Sequence, residues 1–245
     1  MNLKKPIIET ISLNHRYNNH HAIDNLNLTI YEGEIFGFLG HNGAGKTTTI
    51  SILTTLLKQT SGQAKVAGFS TVTDSMEVRK QIGYLPENVT FYNNLTAFEN
   101  LNFFASLSGV TNAREKITEV LDFLNFRGIE NKKMGEFSKG MRQRIGIAQA
   151  ILHDPKVLFL DEPTSGLDPL GIKDLRKTII RLNEEKQMTI FMNTHLLSEV
   201  AKTCTSIGVL NHGKLIYKDS LENTLKKFPN EESLEEIYEQ METKK

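Results

Sequence analysis

The segment Gly40-His41-Asn42-Gly43-Ala44-Gly45-Lys46-Thr47 satisfies the pattern G-x-x-x-x-G-K-[ST], whose residue types suit the cradling of a polyphosphate. Gly40, Gly43 and Gly45 carry no Cβ, so the backbone can take unusual dihedrals and set a row of N–H groups against the phosphates. A helix starting near Lys46 points the positive end of its dipole at the same place. The Lys46 ammonium can reach the β and γ phosphates, and the Thr47 hydroxyl is placed to ligate Mg²⁺. His41, Asn42, Ala44 and Thr48 complete the set expected to touch the nucleotide.

A second chemical element is Asp161-Glu162, two adjacent carboxylates at the end of the apolar run Val157-Leu158-Phe159-Leu160. Neighbours at a strand end can point different ways, so Asp161 can hold Mg²⁺ while Glu162 acts as general base on the attacking water. Two solvated acids would be the plain reading without the glycine loop. With it, the pair implies hydrolysis.

Positioning these groups requires particular elements. The loop lies between the apolar run Ile35-Phe36-Gly37-Phe38-Leu39 and a helical pattern with Ile50, Leu53 and Leu57 on one face, the strand, loop and helix context that the pattern needs. Before it, Leu26, Leu28 and Ile30 alternate with polar residues as a half-buried strand, so an antiparallel region precedes the core. Strands are expected around residues 64–69 and over residues 81–85, ended by Pro86. From Thr96 the period becomes helical. Thr96 and Glu99 form a capping box before Leu101, Phe104 and Ala105; Ile117, Val120, Leu121 and Leu124 mark a second helix; a third starts at Ser138 and buries Met141, Ile145, Ala148 and Leu152. Buried strands over residues 157–160 and 189–192, separated by a helix carrying Ile172, Leu175, Ile179 and Leu182, indicate a parallel sheet. A hairpin around Asn211-His212-Gly213-Lys214 follows, then a polar helix with Leu234, Ile237, Tyr238 and Met241 at helical spacing.

The chain has 245 residues, enough for a sizeable core, and its 29 basic and 29 acidic side chains balance, so nothing global draws it to nucleic acid or anionic lipid. One cysteine, Cys204, forbids an intrachain disulfide and suits a reducing compartment. Residues 1–10 lack a secretory signal and no apolar run is long enough to cross a bilayer, so the chain is expected to be soluble, with any membrane-spanning part on another polypeptide.

Taken in order, these motifs make the chain resemble the ATP-binding cassette (ABC) ATPases, the ATP-hydrolysing subunits of membrane transporters. Phe137-Ser138-Lys139-Gly140-Met141-Arg142-Gln143-Arg144 is similar to that family's signature segment, with Lys139 and Met141 replacing a common glycine and glutamine. Ser138 caps a helix whose free N–H groups make a second anion site. The resemblance implies a single α/β domain: a P-loop NTPase (RecA-like) parallel-sheet core with an antiparallel β subdomain (residues 1–87 and 154–220), an inserted α-helical subdomain (88–153) and a helical tail (221–245). It also implies ATP and Mg²⁺ as ligands and a head-to-tail dimer with a second cassette, identical or related, with two ATP molecules between the phosphate loops and the opposing signatures. Ser138 and Gly140 would touch the partner's γ-phosphate, Asp168 in Gly166-Leu167-Asp168 would cross the interface, His195 would be the switch histidine, and Tyr17 would stack on adenine.

Where the family generally has glutamine after Tyr-Leu-Pro, this chain has Glu87, expected to contact Mg²⁺ and link the nucleotide to the membrane partner. That variant resembles the exporter branch with ABC-2 type permeases. The segment from Gly83 to Tyr92 and that from Ser138 to Ala150 are similar to ATPases that accompany copper-centre maturation of nitrous oxide reductase, although His20, His21 and His41 fit turn and loop positions better than a copper site. The expected localisation is cytoplasmic, attached peripherally to the membrane through separate permease subunits. A soluble relative acting on nucleic acid or ribosomes is the alternative, disfavoured because such relatives insert a coiled coil or carry two cassettes; no nucleic-acid partner is expected. A GTPase is disfavoured because Asn131-Lys132-Lys133-Met134 lacks the base-reading acid.

Overall fold

Two long strands open the chain, β1 (Pro6–Tyr17) and β2 (His20–Tyr31), paired antiparallel. The structure is a computed structural model and describes residues 5–228. β1 escapes a period-two reading because its register shifts between Thr10 and Leu13, beside Ser12 at φ 44°, and a bulge of this kind changes which face each following residue takes. With β4 (Ser61–Val66) and β5 (Phe69–Ser70), these strands form a four-stranded sheet in the order β2-β1-β4-β5.

The second sheet has six strands in the order β10-β9-β3-β8-β7-β6. Its parallel members are β3 (Ile35–Leu39), β6 (Ile82–Leu85), β7 (Val157–Asp161), β8 (Thr189–Thr194) and β9 (Ser206–Asn211), while β10 (Lys214–Ser220) pairs antiparallel with β9. β3, β7, β8 and β9 are buried along their whole length, because the sheet is covered on both faces. Alternation then sorts the side chains. Phe36, Phe38, Phe159 and Phe191 face the antiparallel sheet and α1 (Lys46–Leu53), whereas Ile35, Leu39, Leu158, Leu160, Ile190 and Met192 face the helical side. Phe191 lies at the centre of the aromatic layer, its centroid 5.2–5.5 Å from those of Phe36, Phe38 and Phe159. Burying each such ring contributes about 1.5–3 kcal/mol.

Between β6 and β7 the chain makes α3 (Ala97–Leu107), α4 (Ala113–Phe123), a single 3-10 turn (Met134–Glu136) and α5 (Lys139–Ile151). Both halves of the Thr96–Glu99 capping box are formed, and Leu101, Ala105, Ile117, Val120, Leu121 and Ile145 join one core with the sheet. A short helix, α2 (Ser75–Gln81), precedes β6 and takes Gln81 out of the expected strand. It buries only Val78, so it leaves no helical period to read. α6 (Pro169–Lys186) and α7 (Leu197–Thr203) cross between the later strands, and α8 (Leu221–Lys227) ends the described chain. The tail helix expected at Leu234–Met241 lies outside the described residues. Among the described residues, no helix is long and apolar enough to cross a membrane.

Candidate nucleotide site

Sheet order brings the two chemical elements together. β3 and β7 each lie beside β8, and the parallel registers Leu39↔Thr194 and Asp161↔Asn193 align all three carboxyl ends on one edge. In open α/β sheets this edge is where ligands bind, because the loops leaving it are free to diverge. The phosphate loop leaves β3 and enters α1 there. Gly45 needs to be glycine for two reasons: its φ is 107°, and a Cβ would lie 2.2 Å from the carbonyl oxygen of Ala22.

Lys46 is buried, and its Nζ lies 2.5 Å from Gly40 O, 3.2 Å from His41 O and 3.9 Å from Glu162 Oε1. Burial lowers the lysine pKa, against the raising influence of Glu162 and Asp161. Thr47 Oγ1 is 3.5 Å from Asp161 Oδ1. Burial holds the Asp161 carboxyl above its usual range; the hydrogen bond from the Asn193 side chain opposes this, and the charges of Glu162 and Glu87 add to it. Glu162 turns away from Asp161 because its backbone is left-handed, at φ 47°, with its N–H donating to Asn193 O at 3.0 Å. Its carboxylate then meets His195 Nδ1 at 2.8 Å. Glu87 accepts from the Ser165 hydroxyl at 3.4 Å.

A cleft of about 520 Å³ gathers Tyr17, His41, Asn42, Gly43, Gly45, Lys46, Thr47, Thr48, Glu87, Glu162 and His195 on one wall or another. Gly40, Ala44 and Asp161 lie beneath it, buried or nearly so. Tyr17 is half exposed at the end of β1, its ring edge-on to His15 with centroids 4.6 Å apart. Ser138, Gly140 and Asp168 are not brought to this cleft. They line a separate depression of about 230 Å³ between α5 and α6. Ser138 Oγ caps α5 by accepting from Met141 N at 3.3 Å, and Asp168 Oδ1 caps α6 by accepting from Gly171 N at 2.9 Å.

Three cleft neighbours were missed from the sequence. Asn193, fully buried, orients Asp161; Ser165 holds Glu87; Asn211 reaches His41. A polar residue ending the apolar run Thr189-Ile190-Phe191-Met192 was the available signal for Asn193. Among the described residues, no group of three or more His, Cys, Asp and Glu side chains forms a metal cage.

A doubly covered parallel sheet with a glycine loop and paired acids at its carboxyl edge defines a P-loop NTPase. The ABC transporter family model matches residues 23–165. The bacitracin transport ATP-binding protein BcrA of Bacillus licheniformis is 44% identical over 86% of this chain and 68% of the relative. Two solved structures are similar: cbiO1 of Clostridium perfringens, part of the transporter complex cbiONQ, with TM-score 0.81 and 26% identity over 91% of this chain and 92% of that one, and a dimeric ATP-binding cassette in a post-hydrolysis state with ADP and Pi, with TM-score 0.78 and 26% identity over 88% and 99%. The chain belongs to the ABC transporter ATP-binding family. It is an ATP-binding and ATP-hydrolysing subunit, of the kind that works with a second cassette and with membrane-embedded permease subunits.

Proposed function

We propose that this cassette pairs head to tail with a second one, so that ATP held in the cleft of one chain meets Ser138 and Gly140 of the other. The observation that carries this reading is the separation of the two half-sites. The phosphate loop and the Ser138 helix end lie in different depressions of the same chain, so neither completes the other within it. An exposed helix end capped by Ser138 has no acidic residue in its first turn and offers its N–H groups outward.

Within the cleft, Tyr17 stacks on the adenine and the loop N–H groups and Lys46 hold the phosphates. Thr47, Asp161 and Glu87 are hard oxygen donors, and the repulsion that the Glu87 and Glu162 carboxylates exert on Asp161 fits a Mg²⁺ ion, which would offset phosphate charge when bound. Glu162 accepts a proton from the water whose oxygen attacks the γ-phosphorus as the bond to the β-γ bridging oxygen breaks, leaving ADP and phosphate. His195, which lines the same cleft, holds the Glu162 carboxylate for this. Asp168, committed to capping α6, would serve the interface through its backbone.

Closing the pair would rearrange two permease subunits, and phosphate release would reopen it. The cassette would sit on the cytoplasmic face, with residues 88–153 as the coupling lobe next to Glu87. An export direction is supported by the glutamate at position 87, in which the chain resembles the exporter branch; the relative named for bacitracin transport supports a transport role.

The test is size-exclusion chromatography of Glu162→Gln with Mg²⁺ and ATP, alone and with its permease. A cassette pair is expected, dissociating when ATP is removed. A variant that stays unpaired in both settings overturns the reading.

A further inference from the structure

The turn joining β9 and β10 lies directly against the phosphate loop, although the two are far apart in sequence. Gly213 N donates to Ala44 O at 2.9 Å, and Gly213 O accepts from Asp24 N at 2.9 Å. The two ring nitrogens of His41 lie 2.7 Å from Asn42 O and 3.1 Å from the Asn211 side-chain oxygen, and the His41 ring meets His212 edge-on at 5.1 Å. Leu210 closes the same contact: a Cβ on Gly40 would lie 2.6 Å from its carbonyl oxygen.

The turn is tied on both sides, by the bonds of Gly213 to Ala44 and to Asp24. His212 and Gly213 take φ 45° and 79°, the two left-handed positions of a type I′ hairpin, and a Cβ on Gly213 would lie 3.0 Å from Ala22 O and from Ile23 Cα. It is therefore a fixed part of the wall. The loop it touches is the opposite: three glycines leave it with much backbone freedom, and anion binding by N–H groups requires that freedom to be removed beforehand. Inside the loop, one backbone bond, Ala44 N to His41 O at 3.1 Å, and the Lys46 ammonium on Gly40 O and His41 O restrict it. The lysine is also the group that must turn to the phosphates. The ties from Asn211 and Gly213 do not involve Lys46, so they hold the loop whichever partner the ammonium takes.

We infer that Asn211, with Gly213 beside it, is a positioning residue for the phosphate loop: it fixes His41, and through it the start of the loop, in the shape that receives the phosphates of ATP. The inference rests on reading residues 40–47 as the phosphate site. Asn211 touches no substrate; it acts through His41.

The experiment is a double-mutant cycle on the full chain, His41→Ala, Asn211→Ala and both together. Dissociation constants for ATP and ADP with Mg²⁺ are read by titration calorimetry, and thermal unfolding is followed without nucleotide. Loss of one hydrogen-bonded tie is expected to weaken both nucleotides by about 3- to 10-fold in each single variant. The double variant should be no weaker than either single one. A purely structural Asn211 would instead lower the unfolding temperature and leave nucleotide affinity unmoved, which overturns the inference, as does an additive double variant. Should Asn211→Ala fail to fold, His41→Leu reads the same tie from the loop side, and an unchanged ADP affinity there overturns it. Lys46→Ala separates the two levels: if it too leaves ATP binding intact, the phosphate-site reading fails, whereas a weakened Lys46→Ala beside an unaffected Asn211→Ala rejects the tie alone.

Discussion

His195 Nδ1 lies 2.8 Å from Oε2 of Glu162, and Oε1 of the same carboxylate lies 3.9 Å from the Lys46 ammonium. One carboxylate is thus held between a histidine from the end of β8 and the lysine that opens α1, and its left-handed backbone is what aims it there.

Glu162→Gln keeps the shape of this side chain and removes its ability to take a proton. Steady-state phosphate release is expected to fall by about 10²- to 10⁴-fold, with ATP affinity within about threefold of the wild type. Retained turnover would remove Glu162 from the role of base.

His195→Ala leaves the carboxylate free to rotate toward Lys46. If the histidine acts through Glu162, as proposed above, kcat should drop at least about tenfold while KM for ATP changes little. A raised KM with unchanged kcat would place His195 in binding instead.

Ser138→Arg fills the end of α5 with a long side chain in the depression that the phosphate loop does not reach. ATP binding to the separated chain should be unaffected, and hydrolysis by the paired cassette should be lost. Equal hydrolysis in both proteins would contradict the split site.

Cys204 is buried against Val200 and the backbone of Gly37, and burial pushes its thiol well above the ordinary range, with Glu199 adding to the effect. The reactive species is the thiolate. At pH 8 the native protein should release almost no thionitrobenzoate from Ellman's reagent, and about one equivalent once denatured. Fast native reaction would mean the segment opens readily.

Gly83 tests the packing between the inserted helices and the sheet. A Cβ there would lie 2.2 Å from the carbonyl oxygen of Ala150 on α5, a backbone atom that cannot swing aside. Gly83→Ala should destabilise by roughly 1–3 kcal/mol, seen as a lower denaturant midpoint with unchanged slope.

The phosphate loop, the Thr96–Glu99 box, the Ser138 cap and the hairpin at residues 211–214 were legible because each is decided by neighbours along the chain. A glycine's freedom, a cap's reach and a turn's φ angles depend on a few consecutive residues. α2 and β1 were not legible for the same reason: one buried residue in α2 and a bulge in β1 leave no regular period.

By itself, then, the sequence determined the chemistry available: a polyphosphate cradle, two acids, a histidine and a second helix end. Tertiary structure decided which of these share a cleft. The order β9-β3-β8-β7 sets Asn193 beside Asp161 and His195 beside Glu162, places Asn211 against a loop 170 positions earlier, and leaves Ser138 on another surface. Strand order is fixed by the burial of whole sheet faces, a sum over many distant side chains, and no local spacing encodes it.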